Sequence, residues 1–165
     1  MGAISKHKGR IVARGFSQVL GQDYKETYAS TARFTTFRAL MSLAAREDWE
    51  VHQFDVNGAY LKGDLDEEIY MEIPEGVDME GRVGMVWKLE KPIYGLKQAG
   101  RQWKKKLDAT MADLGFEKSH ADDNLYILRD ENGVILLVLA YVDDTIPAGP
   151  SLNRIIKFKA DFCPS

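Results

Sequence analysis

Tyr141-Val142-Asp143-Asp144 sets two adjacent carboxylates directly after the apolar run Val134-Ile135-Leu136-Leu137-Val138-Leu139-Ala140. Burying that run as a strand drives both acids to the strand's exit, where bare charge is tolerated only with a partner. A divalent cation is the natural partner. Magnesium is a hard ion that takes oxygen ligands, and clustered carboxylates at a strand end suit phosphoryl transfer. Taken alone, the pair also reads as the opening of a β-turn, because Asp is a favoured turn residue. Phe54-Asp55-Val56-Asn57-Gly58-Ala59-Tyr60 is the second stretch of this kind. Asp55 ends an expected strand, and in a sheet of neighbouring strands such ends can converge, so three acids could share two metals. By itself Asp55 reads as the cap of a turn.

The elements that must position these acids mix helix and strand. Lys8 to Arg14 reads as a short strand with Lys8, Arg10 and Val12 on one face. Phe37, Leu40, Met41 and Ala44 fall at helical spacing behind Thr35 or Thr36 as N-cap, giving a helix to about Glu47. Glu50 to Asp55 reads as a strand entering the core. Gly58 and Gly63 interrupt the chain, and strands follow at Ile69–Ile73 and Val83–Leu89. Trp103, Leu107, Met111 and Leu114 line one face of a helix from near Leu96 to Gly115. Asn124–Arg129 and Val134–Tyr141 form a hairpin around Asp130-Glu131-Asn132-Gly133. A second reversal at Val142-Asp143-Asp144 leads into Thr145–Ala148. This order matches split β-α-β folds, so the expected class is α+β with an antiparallel sheet. Pro147 supplies no ladder donor and is expected to distort the hairpin that aims Asp143 and Asp144.

A chain of 165 residues, 45% apolar and 28% charged, suits one globular domain with a core. No apolar stretch approaches the roughly 20 residues of a transmembrane helix, and the N-terminus lacks the apolar stretch of a secretory signal, so neither membrane insertion nor secretion is expected. The single Cys163 excludes an internal disulfide and fits a reducing compartment. His7, His52 and His120 lack metal-ligand spacing, which argues against zinc. A net charge of −3 argues against a generic nucleic-acid binder. Its distribution is uneven, however. Lys6, Lys8, Arg10, Arg14, Lys25, Arg33 and Arg38 crowd the first segment and Lys97, Arg101, Lys104, Lys105 and Lys106 a later one, with an acidic block from Asp64 to Glu80 between them. Such runs are either solvated faces or stripes that hold nucleic acid beside metal ions.

Asp-Val-x-x-Ala-Tyr followed by Tyr-Val-Asp-Asp resembles the paired catalytic motifs of reverse transcriptases. Arg10-Ile11-Val12-Ala13-Arg14-Gly15-Phe16-Ser17-Gln18, Tyr24-Lys25-Glu26-Thr27, Glu68-Ile69-Tyr70-Met71-Glu72 and Tyr94-Gly95-Leu96-Lys97-Gln98-Ala99 are similar to the copia-type enzyme of long-terminal-repeat retrotransposons. The similarity runs in order from about Lys8 to Gly149. It implies an RNA-directed DNA polymerase of fingers and palm, with no segment for a thumb. Residues 1–165 would be one partial domain, 1–50 and 64–95 fingers-like, 51–63 and 96–165 palm-like, the palm carrying a ferredoxin-like antiparallel sheet.

The resemblance further implies that Asp55, Asp143 and Asp144 bind two magnesium ions, manganese being the substitute, with the Val56 carbonyl as a further ligand. Tyr60 would pack under the incoming sugar and exclude a 2′-hydroxyl. Tyr94, Gly95, Lys97, Gln98 and Tyr141 would contact nucleotide or template, and Lys8 and Arg10 the triphosphate. The implied partners are an RNA or DNA template-primer, deoxynucleoside triphosphates and the integrase and ribonuclease H domains of a Pol polyprotein. The implied location is cytoplasmic, in a virus-like particle, or nuclear. The competing expectation is a catalytically inactive, truncated remnant that binds RNA or serves assembly.

Overall fold

A computed structural model of the chain describes residues 9–77, 84–131 and 133–162. Among these residues there are three α-helices, α1 (Phe34–Arg46), α2 (Ala99–Asp113) and α3 (Leu152–Phe162). Eight strands accompany them: β1 (Glu50–Val51), β2 (Phe54–Asp55), β3 (Ile69–Glu72), β4 (Val86–Leu89), β5 (Glu117–Lys118), β6 (Leu125–Asp130), β7 (Gly133–Tyr141) and β8 (Asp144–Gly149). The larger sheet runs β1-β8-β7-β6-β5, with β2 also on β8, and β3-β4 form a separate pair. Every ladder is antiparallel. The α+β class with antiparallel sheets is therefore as read from the sequence. Among the described residues no helix is long and apolar enough to cross a membrane. Lys8, Val83, Asn132 and Cys163, which entered the sequence reading, lie outside the described residues.

The run before Tyr141 is apolar without alternation because β7 is covered on both faces. Leu136, Val138 and Ala140 face α2 and α3, packing with Trp103, Leu107, Met111, Ile155 and Phe158. Leu137 and Leu139 face α1, packing with Leu40, Phe37 and Met41. A third cluster joins Ala13, Ile69, Leu96 and Ala99 beside the β3-β4 pair. The C-terminal end of α2 is closed by a Schellman arrangement. The Phe116 N–H donates to Met111 O and the Gly115 N–H to Ala112 O, at 2.9 Å each. Neither β5 nor α3 was expected from the sequence. The spacing of Ile155, Phe158 and Phe162 on α3 was the available signal, and Ser151 O accepts the Arg154 and Ile155 N–H groups at its start.

Four local expectations are corrected. Gly9 to Arg14 is not a strand: Ala13 N–H donates to Tyr94 O at 2.8 Å and Arg14 O accepts from Ser17 N–H at 3.0 Å, and these isolated bonds make no ladder. Neither Thr35 nor Thr36 is the N-cap of α1. Arg33 occupies that position, and the buried Asp122 carboxylate accepts from the Arg33 N–H and the Thr36 hydroxyl, at 2.9 and 2.6 Å. The helix expected from Leu96 begins at Ala99. Pro147, finally, leaves the β7-β8 hairpin undistorted: the two strands stay in register from Leu137↔Ala148 through Val138↔Pro147 to Tyr141↔Asp144. His52 N–H donates to Pro147 O at 3.0 Å, so the missing proline donor also faces the first-strand side. The register there is continuous from Val51↔Ala148 to Phe54↔Thr145, yet the strand is divided into β1 and β2 opposite the proline. The donor is lost from that ladder and not from the hairpin.

Beneath the sheet end, Asp108 of α2 accepts from Lys104, from Tyr126 Oη at 2.7 Å and from Lys118 at 3.2 Å. Burial alone would raise its carboxyl, but the hydrogen bonds from Lys104 and Tyr126 outweigh burial and leave it below its usual 3.8. A depressed folded-state pKa stabilises the fold above the unfolded value, and that contribution is lost as pH falls through the folded value. Asp108→Asn is expected to cost about 1.5–3 kcal/mol near neutral pH, the range for hydrogen bonds to charged groups. Urea titrations should show that difference shrinking below pH 4, the ordinary carboxylate range. A pH-independent difference would contradict the account.

Candidate active site

Asp55 and Asp144 are Cα partners across β2 and β8. Val56 N–H donates to Asp143 O at 2.8 Å, which makes Val56/Asp143 the hydrogen-bonded pair and Asp55/Asp144 the adjacent non-bonded one. Side chains approach most closely at such non-bonded positions. Tyr141 pairs with Asp144 across the other edge of β8, leaving Val142-Asp143 as a two-residue loop. The backbone thus brings Asp55, Asp143 and Asp144 to one end of the sheet.

Their carboxylates are not gathered. Among the described residues no three His, Cys, Asp or Glu side chains are close enough to hold a metal ion. Asp144 Oδ1 accepts from Gln53 Nε2 at 2.9 Å, and Asp143 Oδ2 from Tyr94 Oη at 3.4 Å. Like charges placed opposite one another destabilise a sheet, so protein donors draw these acids apart. In kind, the donors fit magnesium, since they are carboxylates with no nitrogen or sulfur among them. The opposed pair Asp55/Asp144 is also a repulsion that a cation would offset. Val56 O accepts from Ala59 N–H at 3.1 Å and keeps a second lone pair.

A column of rings adjoins Asp143. Tyr60, on the 3-10 turn Ala59–Lys62, packs on Tyr94 with ring centres 4.5 Å apart. The Arg10 guanidinium lies 4.4 Å from the centre of the Tyr94 ring. Burial, then the Asp143 carboxylate, raise both tyrosine hydroxyls, so both remain protonated donors at neutral pH.

The family model described as reverse transcriptase (RNA-dependent DNA polymerase) matches residues 3–164. The chain belongs to the reverse transcriptase family. It is 42% identical over 160 residues to the retrovirus-related Pol polyprotein from transposon TNT 1-94 of Nicotiana tabacum, covering 97% of this chain and 12% of that protein. Against the corresponding polyprotein from transposon RE2 of Arabidopsis thaliana it is 38% identical over 148 residues, 90% of this chain and 10% of the relative. The Transposon Ty1-MR1 Gag-Pol polyprotein of Saccharomyces cerevisiae is 31% identical over 153 residues, 89% and 8% of the two chains. No solved structure matches. The resemblance read from the motifs is thereby established.

Other reverse-transcriptase positions singled out in the sequence are distributed unevenly. Tyr141 is exposed at the hairpin. Gly95 adopts φ +93 and lies against Ala13 backbone. Its close approach is to its own chain. Gln98 is buried, donating to Asp23 O and accepting from Gln18 at 2.9 and 3.0 Å. The Lys97 ammonium donates to Gln18 O at 3.2 Å and to Tyr24 Oη at 3.3 Å. Both residues thus brace the loop crossing instead of presenting free groups. The later basic stripe is also partly spent within the chain, Arg101 on Glu26, Lys104 on Asp108 and Lys105 on Asp66.

Two residues beside the acids were not singled out for the site. Gln53 lies two positions before Asp55, on the same strand face, and period two could have flagged it. Trp103 was read as a core residue of α2, and its Nε1–H donates to Val142 O at 2.7 Å. That pairing crosses 39 positions of sequence and leaves no local signal.

Proposed function

We propose that the chain is the RNA-directed DNA polymerase segment of a retrotransposon Pol polyprotein, adding deoxynucleotides to a primer 3′-hydroxyl on an RNA or DNA template. Residues 1–50 and 64–95 would act as fingers, and 51–63 and 96–165 as palm. The observation that carries the reading is the register Asp55↔Asp144, with Asp143 O bonded to Val56 N–H, in a chain of this family. Asp55, Asp143 and Asp144 would hold two magnesium ions, with Val56 O as a neutral ligand. When bound, such ions acidify the primer hydroxyl and neutralise charge on the departing pyrophosphate. Arg10, on the face of Tyr94, is the cation available to the triphosphate. Tyr60, braced by Tyr94, sets the floor under the sugar.

Primer extension with magnesium on RNA and DNA templates tests the assignment. Template-directed incorporation is expected, and its absence together with salt-sensitive RNA retention would favour the inactive, RNA-binding remnant. In the same assay Tyr60→Val should raise ribonucleotide use relative to deoxynucleotide by about ten- to a hundredfold, the scale at which a pocket rejects a small added group. Unchanged discrimination would remove Tyr60 from the sugar site.

A further inference from the structure

Val142 stands at φ +56 in the two-residue loop between Tyr141 and Asp144. Positive φ at the first position of such a loop and not at the second, Asp143, is the pattern of a II′-type turn, where glycine is the usual first occupant. A β-branched residue there is an outlier, and such conformations persist only where the surroundings over-determine them.

Two hydrogen bonds from opposite sides do so here. Val56 N–H of the strand carrying Asp55 holds Asp143 O at 2.8 Å. Trp103, only 6% exposed on α2, holds Val142 O with its indole N–H at 2.7 Å. The ring packs among Val56, Ala59, Leu107 and Ala140, where a buried indole N–H needs an acceptor. Consecutive carbonyls of the loop are pinned, one from the helix and one from the neighbouring strand. The peptide planes that set the directions of Asp143 and Asp144 are thereby fixed.

We propose that Trp103 is a positioning residue for the catalytic acids: its indole N–H locks the Val142 peptide so that a turn disfavoured by its own sequence presents Asp143 and Asp144 beside Asp55. The assignment rests on the polymerase reading for its kinetic consequence, though not for the hydrogen bond. Trp103 acts from beneath the loop, through Val142.

Trp103→Phe removes the donor and keeps an aromatic ring. Its kcat for incorporation should fall about ten- to a hundredfold, the penalty for misplacing reacting groups by about an ångström. KM for deoxynucleotide and for primer-template should stay within about twofold, because no nucleotide contact is lost. Lost packing alone would lower the melting temperature and leave kcat unchanged well below it, and that result overturns the proposal. Val142→Gly makes the turn intrinsically favourable, so on that background Trp103→Phe should cost much less, the non-additivity of coupled sites. Equal losses on both backgrounds would overturn it. Should Trp103→Phe fail to fold, replacing Trp103 with benzothienylalanine removes the N–H within an almost unchanged outline.

Nuclear magnetic resonance of the 15N-labelled protein supplies a readout independent of turnover. The Trp103 indole signal should exchange slowly with solvent, and magnesium alone should shift the Asp143 and Asp144 amides at lower concentration in the wild type than in Trp103→Phe. Fast indole exchange, or identical magnesium titrations, would refute the positioning role whatever the activity. If the wild type incorporates nothing while the titrations differ, the polymerase reading fails and the positioning role stands.

Discussion

Asp55→Asn is expected to lower magnesium-dependent incorporation by about a thousandfold or more while making the folded protein slightly more stable. Loss of one ligand charge removes several kcal/mol of transition-state stabilisation, and about 4 kcal/mol corresponds to three decades in rate. The stability gain follows from register. Asp55 and Asp144 face one another at a non-bonded position of an antiparallel pair, and directly opposed like charges cost roughly 0.2–1 kcal/mol. The Asp55 carboxylate has no hydrogen-bond or ion-pair partner among the described residues, so nothing is lost in exchange. Magnesium should raise the melting temperature of the wild type more than that of Asp55→Asn, by the mass-action rule for a ligand that binds the folded state. Calorimetry with and without magnesium checks this, alongside primer extension. A variant that is both active and less stable would overturn the geometry and the role together.

Gly95→Ala should destabilise the chain by more than about 3 kcal/mol, a large fraction of ordinary domain stability. Gly95 has φ +93, which costs an L-residue about 1–2 kcal/mol. An added Cβ would also lie 2.1 Å from Ala13 O and 2.9 Å from Ala13 N, and backbone cannot swing away as a side chain can. The crossing is tight from both sides, because a Cβ on Gly15 would lie 1.9 Å from Gly95 O. Forcing the two segments apart breaks the Ala13 N–H to Tyr94 O bond and with it the seat of Tyr94 beside Asp143. At about 2–4 °C per kcal/mol the melting temperature should fall by roughly 10 °C. Gly21 is the internal control. It has φ +87 with nothing within 4 Å of its would-be Cβ, so Gly21→Ala should cost only the conformational part. Equal losses at Gly95 and Gly21 would show that the crossing is not tight.

Much of this was legible in the sequence because the signals are local. Helix α1, helix α2 and the hairpin β6-β7 follow from apolar spacing and turn residues, and the acids stand out because charge after a buried run demands a partner. Illegible features arise where one segment is completed by another. The carboxylate that ties down the start of α1 belongs to Asp122, far along the chain from the N-cap Arg33. Pro147 reads as a threat to the hairpin until the direction of its missing donor is known. Only the ladder with His52 shows that the loss falls on β1 and β2, so the hairpin stays in register.

The amino-acid order alone determines the family, the α+β class and the identity of the three acids, since each depends on residue type at short, fixed spacing. The tertiary structure alone decides that Asp55 faces Asp144, that Gln98 braces a loop and that Trp103 grips the carbonyl of a strained valine. Pairing register and hydrogen-bond direction are properties of two segments together. No periodicity within either segment encodes them.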